Sequence, residues 1–205
     1  MSSKHKRLTI VIAILIAIVP ACALGTETEP ASLPVPEDVF PPSAQEKESL
    51  TLSAETTFHP VYFFKEDQLA RIQRPLPAPV FLDAPLNNLL EGPSEREAEL
   101  GMVSAIPAGT AIVDVALNRN NTISIHLNQT FFEIEGEQRI KASAQLVMTA
   151  SDLIRNTQGV VFFLENKPVQ LPDGNGLIEE VAEGRLPTPL TIRDYATLTP
   201  GDLFD

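Results

Sequence analysis

The chain has 205 residues, 43% of them hydrophobic, which is enough for one domain with a sizeable core and for flanking segments. Its formal net charge is −12, and no cluster of Lys or Arg follows Arg7, so the composition argues against nucleic acid as a partner. The single cysteine excludes an intramolecular disulfide, so the fold must depend on its core.

The N-terminus predicts a signal peptide for export. Residues 1–7 are cationic, and residues 8–19 are apolar apart from Thr9. This apolar stretch is short for a membrane-spanning helix, which needs about 20 residues, but it suits the central region of a signal peptide. The sequence that follows, Val19-Pro20-Ala21-Cys22, resembles the lipobox of bacterial lipoproteins, where an aliphatic residue stands three positions before the cysteine and a small residue directly before it.

The lipobox resemblance implies a lipid anchor on Cys22. In lipoproteins the thiol of this cysteine is alkylated with diacylglycerol, and cleavage before it would here remove residues 1–21. We therefore expect the mature chain on the extracytoplasmic face of the cell membrane, held there by lipid. Ala23 follows the cysteine, so the resemblance gives no sign of retention in an inner membrane. Cleavage by the ordinary signal peptidase and an uncleaved anchor over residues 8–24 remain alternatives.

The charge of the mature chain favours a covalent or apolar anchor. Removing residues 1–21 leaves 12 basic side chains against 27 acidic ones. Such a chain would not adhere to anionic lipid headgroups by charge. Two acyl chains, at ~0.8 kcal/mol per buried methylene, would hold it stably, whereas one chain is marginal.

Residues 22–57 predict a disordered or extended linker, because they combine acidic and hydroxyl side chains with prolines and show no apolar periodicity. As a flexible coil this linker would span roughly 30–35 Å root-mean-square. It would lift the domain off the bilayer, although a passive tail is the alternative. The prolines are Pro30, Pro34, Pro36, Pro41 and Pro42.

A folded domain is predicted over residues 58–198, followed by a C-terminal tail over residues 199–205. The domain opens with residues 59–65, which are rich in the aromatic and β-branched side chains of a strand. Residues 68–74 suit the second arm of a hairpin, which a cluster of prolines then ends.

Two short helical segments come next. Asp83 is a suitable N-cap for a helix that runs to Glu91, and Gly92-Pro93 ends that helix. The segment Ser94–Glu97 has the sequence of a capping box and predicts a further brief helical turn.

The remaining elements predict an α+β fold. Residues 111–117 and 123–128 alternate in polarity, which indicates an antiparallel hairpin with one buried face. Residues 139–157 change to helical periodicity. Residues 160–164 form a continuous apolar run typical of a central strand, and residues 167–170 suit a short outer strand. The predicted order is β-α-β-β-α-β, a sheet with helices packed on one face.

Several of these segments together resemble the GerMN domain, over roughly residues 58–198. In that family a helix ends in a Leu-Leu-x-Gly-Pro motif, and a Ser-x-Ile-Pro-x-Gly-Thr segment then leads into the hairpin. Residues 124–128 depart from the Asp-Leu-Ser-like sequence that family members often carry at this point. The matching segments are Leu89–Ser94, Gly101, Ser104–Pro107, Gly109-Thr110, Gln145–Thr149, Gly159-Val160, Asn166–Val169 and Leu190–Tyr195.

The resemblance implies an α+β fold related to the ring-building modules of secretion-type assemblies. It implies a structural or interaction role in the cell envelope, and no chemistry is ascribed to the fold. The family takes its name from sporulation and spore germination, but the resemblance does not imply that this cell makes spores. The motif residues Gly92, Pro93, Pro107 and Gly109 are expected to shape the backbone, by ending a helix and by leading into the hairpin, and not to bind a ligand.

The sequence contains no recognisable catalytic, metal or cofactor site. The mature chain has only His59 and His126, which lie in different predicted strands without metal-binding spacing, and His126 is expected on the polar face of its strand. There is no G-x-S-x-G motif of a hydrolase. Asp173–Gly176 lacks the spacing of a calcium loop and predicts a turn. Three acidic pairs are interpreted as solvated charge: Glu46/Glu48, Glu95/Glu97 and Glu179/Glu180.

Three hypotheses about function follow. The first is a non-catalytic interaction module that is anchored by lipid on Cys22 and docks onto envelope proteins. The second is a binding module for a small ligand or a cell-wall glycan, which the absence of Trp and the presence of only Tyr62 and Tyr195 make less favourable. The third, an enzyme, ranks last because no catalytic constellation is visible.

Overall fold

The computed structural model describes residues 55–182 and 184–201. The predicted signal peptide, Cys22, nearly all of the linker and residues 202–205 lie outside this part of the chain. The elements, in chain order, are β1 (Thr56–Lys65), β2 (Gln68–Pro77), α1 (Asp83–Leu90), α2 (Glu95–Glu99), β3 (Ile112–Leu117), β4 (Ile123–Leu127), α3 (Gln129–Phe132), α4 (Gly136–Leu153), β5 (Val160–Leu164), β6 (Lys167–Val169) and a 3-10 helix (Ile192–Leu198).

The predicted α+β class is confirmed, but the strands form two sheets where the sequence predicts one. The hairpin β1–β2 stands by itself, and the other four strands form a sheet in the order β3-β4-β5-β6. Within this sheet β4 and β5 run parallel, whereas the other neighbouring strands are antiparallel.

The hairpin stays separate because other groups occupy the second edge of β1. The Tyr62 N–H donates to the hydroxyl of Thr149 at 3.3 Å, and the Gln145 side-chain amide donates to the Tyr62 carbonyl at 2.8 Å. Phe64 exchanges two backbone hydrogen bonds with Val103. These contacts satisfy the backbone groups with which β1 would otherwise join a larger sheet.

Helix α4 lies at the centre of the core. Every residue from 142 to 150 is buried, so this helix is covered around its circumference and is not merely amphipathic. It contacts β1 and the 3-10 helix as well as β5. The inward side chains of the four-stranded sheet complete the same core, and they include Ile123, Ile125, Val160 and Phe162.

The element boundaries shift slightly from those that the sequence predicts. Leu82 is the N-cap of α1, and Asp83 is its first residue, with no side-chain cap. The capping box of α2 forms as expected, since Ser94 and Glu97 bond to each other's backbone N–H groups. The sequence pattern does not predict α3 or the 3-10 helix, because both are short and are held by tertiary packing.

Candidate functional site

Arg74 of β2 fixes the end of α1. Gly92 has φ +80°, and its N–H donates to the Leu89 carbonyl at 3.1 Å, which ends the helix in the left-handed region. The Arg74 guanidinium donates to the carbonyls of Asn88 and Gly92, at 2.9 and 2.8 Å, and to the carboxylate of Glu97. One side chain therefore binds the residue before the Leu-Leu-x-Gly-Pro segment, the glycine within it, and α2 after it.

The ion pair between Arg74 and Glu97 is largely shielded from water. The two side chains are 11% and 16% exposed, and the guanidinium also lies over the ring of Phe63. Hydrogen bonding from Arg74 lowers the pKa of Glu97. Between Gly92 and the capping Ser94 stands Pro93, which has no N–H to donate and so cannot continue α1.

Gln145 of α4 plays the matching role for the segment that precedes β3. Its side-chain oxygen accepts a hydrogen bond from the Ala105 N–H at 2.7 Å, while its amide group donates to the Tyr62 carbonyl. The side chain is fully buried. Two residues further along, the Pro107 carbonyl accepts from the Thr110 N–H at 3.2 Å and closes a turn.

Asn128 fixes the start of β3. Its amide group donates to the Gly109 carbonyl at 2.8 Å, and its side-chain oxygen accepts from the Ala111 N–H at 3.0 Å. Gly109 itself has φ +86°. The four motif residues thus lie at two places: Gly92 and Pro93 at the end of α1, and Pro107 and Gly109 just before β3. Both α1 and β3 contribute residues to one groove.

This groove, which we call the β3 groove, has a volume of about 510 Å³. Its apolar wall includes the exposed side chains of Phe81 and Val113, which are 68% and 70% accessible. Two carboxylates, Asp83 and Asp114, also line it, and within the described part of the chain neither forms a salt bridge. The full lining is Phe81, Leu82, Asp83, Asn87, Ile112, Val113, Asp114 and Val115.

The groove runs along an open edge of the sheet. In the part of the chain that the structure describes, β3 pairs with β4 on one side and has no strand on the other. The Asn118 N–H donates to the Thr122 carbonyl at 2.8 Å, so Asn118 and Thr122 form a hydrogen-bonded pair. Along an antiparallel ladder, hydrogen-bonded pairs alternate with pairs that are not hydrogen-bonded. The backbone groups of Ala116 therefore point toward β4, whereas those of Val115 and Leu117 point away from the sheet. A register shift between Ile112 and Asp114 leaves Val113 as an extra, outward residue.

The two histidines occupy separate places. His59 lies on β1, where its ring nitrogen is 3.0 Å from the Thr57 hydroxyl. His126 lies on the outer face of β4, half buried, and stacks on Phe163 with ring centroids 4.5 Å apart. Within the described residues no group of three or more His, Cys, Asp or Glu side chains is arranged to hold a metal ion.

The acidic segments have structural partners or face solvent. The Asp173 carboxylate accepts from the N–H groups of Asn175 and Leu177, at 2.9 and 2.8 Å, and stabilises the turn that the sequence predicts. Glu179 and Glu180 are exposed, and Glu46 and Glu48 lie outside the described residues. Measured by length and hydropathy, each helix within residues 55–182 and 184–201 falls short of a transmembrane span.

A family model described as sporulation and spore germination, named Germane, matches residues 60–170, just over half of the chain. The chain belongs to the Germane family. The Germane match begins within β1 and ends directly after β6, so it covers both sheets and the elements around the β3 groove. A search of the curated proteins finds no match.

Three solved structures are similar to this Germane domain. The tandem GerMN domains of the sporulation protein GerM from Bacillus subtilis are 16% identical with a TM-score of 0.47; the match covers 68% of this chain and 48% of that one, so this chain spans about half of its length. The first GerMN domain of the same protein is 15% identical with a TM-score of 0.46, and the match covers 67% of this chain and 99% of that domain. A candidate lipoprotein from Clostridium perfringens is 14% identical with a TM-score of 0.43, and the match covers 72% of this chain and 95% of that one.

Three residues organise this Germane domain through contacts that the sequence pattern does not predict. Arg74 occupies a polar position of a hairpin arm, and nothing in the local pattern marks its contacts. Gln145 carries a signal, since it is a polar side chain within an apolar helical stretch, where burial requires partners. Asn128 lies in the segment that departs from the family pattern, yet it fixes the backbone before β3.

Proposed function

We propose that this Germane-family chain is a lipid-anchored, non-catalytic interaction module on the extracytoplasmic face of the cell membrane. Its domain docks onto envelope proteins through the β3 groove. One observation carries the proposal: among the described residues, the outer edge of β3 has no strand partner, and it lies beside a groove that combines exposed apolar side chains with two carboxylates lacking salt bridges. In a cell that forms spores, the partners would belong to the sporulation or germination machinery, as the family description suggests.

The absence of catalysis is part of the proposal. Among the described residues, Glu97 and Tyr62 are ionisable groups shielded from water, and both join elements to each other. Glu97 binds Arg74, and the Tyr62 hydroxyl donates to Asp152 at 2.6 Å, which also accepts from Arg71 at 2.9 Å. The net charge of −12 makes proteins, and not nucleic acid, the expected partners.

The lipid anchor is tested at Cys22. Replacing it by Ala should release the protein from membranes or stall its processing, because no other thiol could carry the lipid. Mass spectrometry of the purified wild type should show a diacylglyceryl group on the N-terminal Cys22. Normal cleavage with unchanged membrane retention of the Cys22→Ala variant would refute the anchor.

The docking role is tested by purifying the protein from crosslinked membranes. Val113→Glu should abolish recovery of the envelope partner, because it places a charge on the exposed apolar wall of the groove. Leu177→Glu is the matched control, since Leu177 is 64% exposed and does not line the groove. Recovery of no envelope protein by the wild type, or equal recovery by both variants, would contradict the proposal.

A second candidate function is binding of a cell-wall glycan. A depression of about 270 Å³ is lined by residues that include His126, Gln129 and Asn166. An aromatic side chain together with a few polar side chains is typical of a small-ligand site, and a sugar is such a ligand. This function predicts that the wild type co-sediments with peptidoglycan and that His126→Ala does not. Absence of co-sedimentation would remove this candidate.

A further inference from the structure

We propose that the occupant of the β3 groove is an extended, basic segment of a partner protein, which adds to the sheet as a strand beside β3. The inference rests on the proposed docking role and specifies the chemistry of the partner. Three features of the groove lead to it: the direction of the unpaired backbone groups, the alternation of the side chains along β3, and the sign of the charges.

The backbone of β3 offers hydrogen bonds with the spacing of a strand. Val115 and Leu117 turn both their N–H and carbonyl groups away from β4, as the ladder alternation requires. These groups are two residues apart, which is the repeat at which a neighbouring strand bonds. Strand addition of this kind draws its affinity from main-chain bonds and its specificity from alternate side chains.

The side chains beside this edge favour a partner that alternates apolar and basic residues. On one face of the sheet, Val115 and the groove residues Phe81 and Leu82 provide an apolar surface. On the other face, Asp114 is exposed and pairs in register with His126. Asp83 adds a second carboxylate at the start of α1. Lysine or arginine on the added strand would meet these carboxylates, whereas acidic residues would be repelled.

A second copy of this chain is a poorer occupant. Two β3 edges that paired with each other would bring two copies of Asp114 to the same face of one ladder, and like charges on paired strands are destabilising. Each mature copy also carries 12 basic against 27 acidic side chains, so association would have to overcome mutual repulsion.

The experiment uses the mature chain and a short synthetic peptide that alternates lysine and valine, with a glutamate–valine peptide of equal length as control. The lysine peptide should bind at least about tenfold more tightly, and added salt should weaken it. Amide hydrogen exchange followed by NMR should show new protection at Val115 and Leu117, with no change at Ala116, whose N–H already faces β4.

Two variants give independent checks. Asp114→Lys should weaken the lysine peptide by about tenfold through loss and reversal of one charge pair, whereas Glu179→Lys, in an exposed loop outside the groove, should not. Leu117→Pro removes an N–H that points away from β4, so no hydrogen bond between β3 and β4 is lost. It should abolish the protection pattern. If Leu117→Pro does not fold, Asp114→Lys and the exchange pattern of the wild type still decide.

Several results would overturn the inference. Equal affinity for both peptides would do so, as would binding without protection at alternate residues of β3. Protection that appears without peptide and grows with the concentration of the chain would assign the edge to a second copy. Failure of the docking role itself is distinguishable. Recovery of an envelope protein that depends on Val113, together with an unprotected β3 edge, would keep the docking role and reject strand addition.

Discussion

The two edges of the four-stranded sheet differ sharply. The β3 edge has six residues and contains neither proline nor lysine, and its one charged side chain is Asp114. The β6 edge has three residues, of which Lys167 and Pro168 are two. Lysine, proline and short length are the devices by which proteins protect sheet edges from unwanted pairing. One edge is therefore protected, and the other is open.

On the protected side, the outer edge of β5 is hydrogen-bonded along its length. Where β6 ends its pairing with β5, Val160 exchanges backbone hydrogen bonds with Leu190 at 2.8 and 2.9 Å. The chain thus covers the outer edge of β5 with two separate segments, whereas no segment within residues 55–182 and 184–201 pairs with the outer edge of β3. This difference supports the proposal that the open edge serves association, because the fold closes the other edge of the same sheet. The predictions below disturb one side or the other.

The largest effect should come from Arg74, which fixes the end of α1, the helix that lines the groove together with β3. Arg74→Leu leaves the shielded Glu97 carboxylate without its cation and two helix-end carbonyls without a donor. The free energy of unfolding should fall by about 3–5 kcal/mol, measured by urea denaturation. Arg71→Leu is the control on the same strand, since its ion pair with Asp152 is exposed and should cost below about 1 kcal/mol.

The same pair predicts a pH dependence. Arg74 lowers the pKa of Glu97 in the folded state, so the pair stabilises the fold above the unfolded-state pKa of about 4.3. This contribution is lost as the pH falls through the lower, folded-state pKa. The stability difference between wild type and Arg74→Leu should therefore shrink in acid. A stability difference between the two proteins that stays constant as the pH falls below the folded-state pKa of Glu97 would exclude the ion pair as its source.

Gly159 tests the closed edge. It has φ +115°, and a Cβ at this position would lie 2.7 Å from the Leu190 carbonyl oxygen. Gly159→Ala should therefore displace the segment that covers Val160 and lower stability by about 3 kcal/mol. Gly101→Ala is the control, because Gly101 also has a positive φ but an added Cβ would lie in open space. Its loss of stability should be only about 1 kcal/mol. Equal losses would show that the Leu190 contact is unimportant.

Gln145 tests how the central helix α4 holds β1 and the segment that precedes β3. Gln145→Leu leaves the Ala105 N–H and the Tyr62 carbonyl without their partner. Since an unpaired buried polar group is costly, we expect a loss of about 2 kcal/mol, seen as a lower urea midpoint. Gln138→Leu removes a bond to the Ala105 carbonyl from an exposed side chain and should be nearly neutral. A neutral Gln145→Leu would mean that these groups find other partners.

The smallest effect is expected at Gly92. No atom lies within 4 Å of a Cβ built there, so Gly92→Ala costs only the strain of φ +80°, about 1 kcal/mol. Gly92→Asn should cost less, because asparagine tolerates the left-handed region. Thermal unfolding of both variants checks the order. A larger loss for Asn than for Ala would show that the site is limited by space and not by conformation.

The sequence predicts the elements of this fold well and their assembly less well. The alternation of residues 111–117 and 123–128 and the capping box at Ser94 follow local rules, and the structure contains both. The separation into two sheets does not follow from local rules. It depends on Gln145 and Thr149, which reach from α4 to the edge of β1 across more than eighty residues of sequence.

The candidate site shows the same division. The motif residues Gly92 and Gly109 are recognisable from the sequence because their backbone conformations favour glycine. The β3 groove is not recognisable, since its lining comes from α1 and β3, which are joined in space and not in sequence. Arg74 is likewise visible only once the hairpin is placed beside the end of α1.

The central claim is that the open edge, and not the protected one, contacts an envelope partner. The most direct test places a photo-crosslinking amino acid at Val113 or at Lys167 of the full chain in living cells. Both positions are exposed, and they lie on the opposite edge strands of one sheet. We expect a discrete crosslink to an envelope protein from position 113 and none from position 167. Equal crosslinking from both positions, or crosslinking from position 167 alone, would contradict the account.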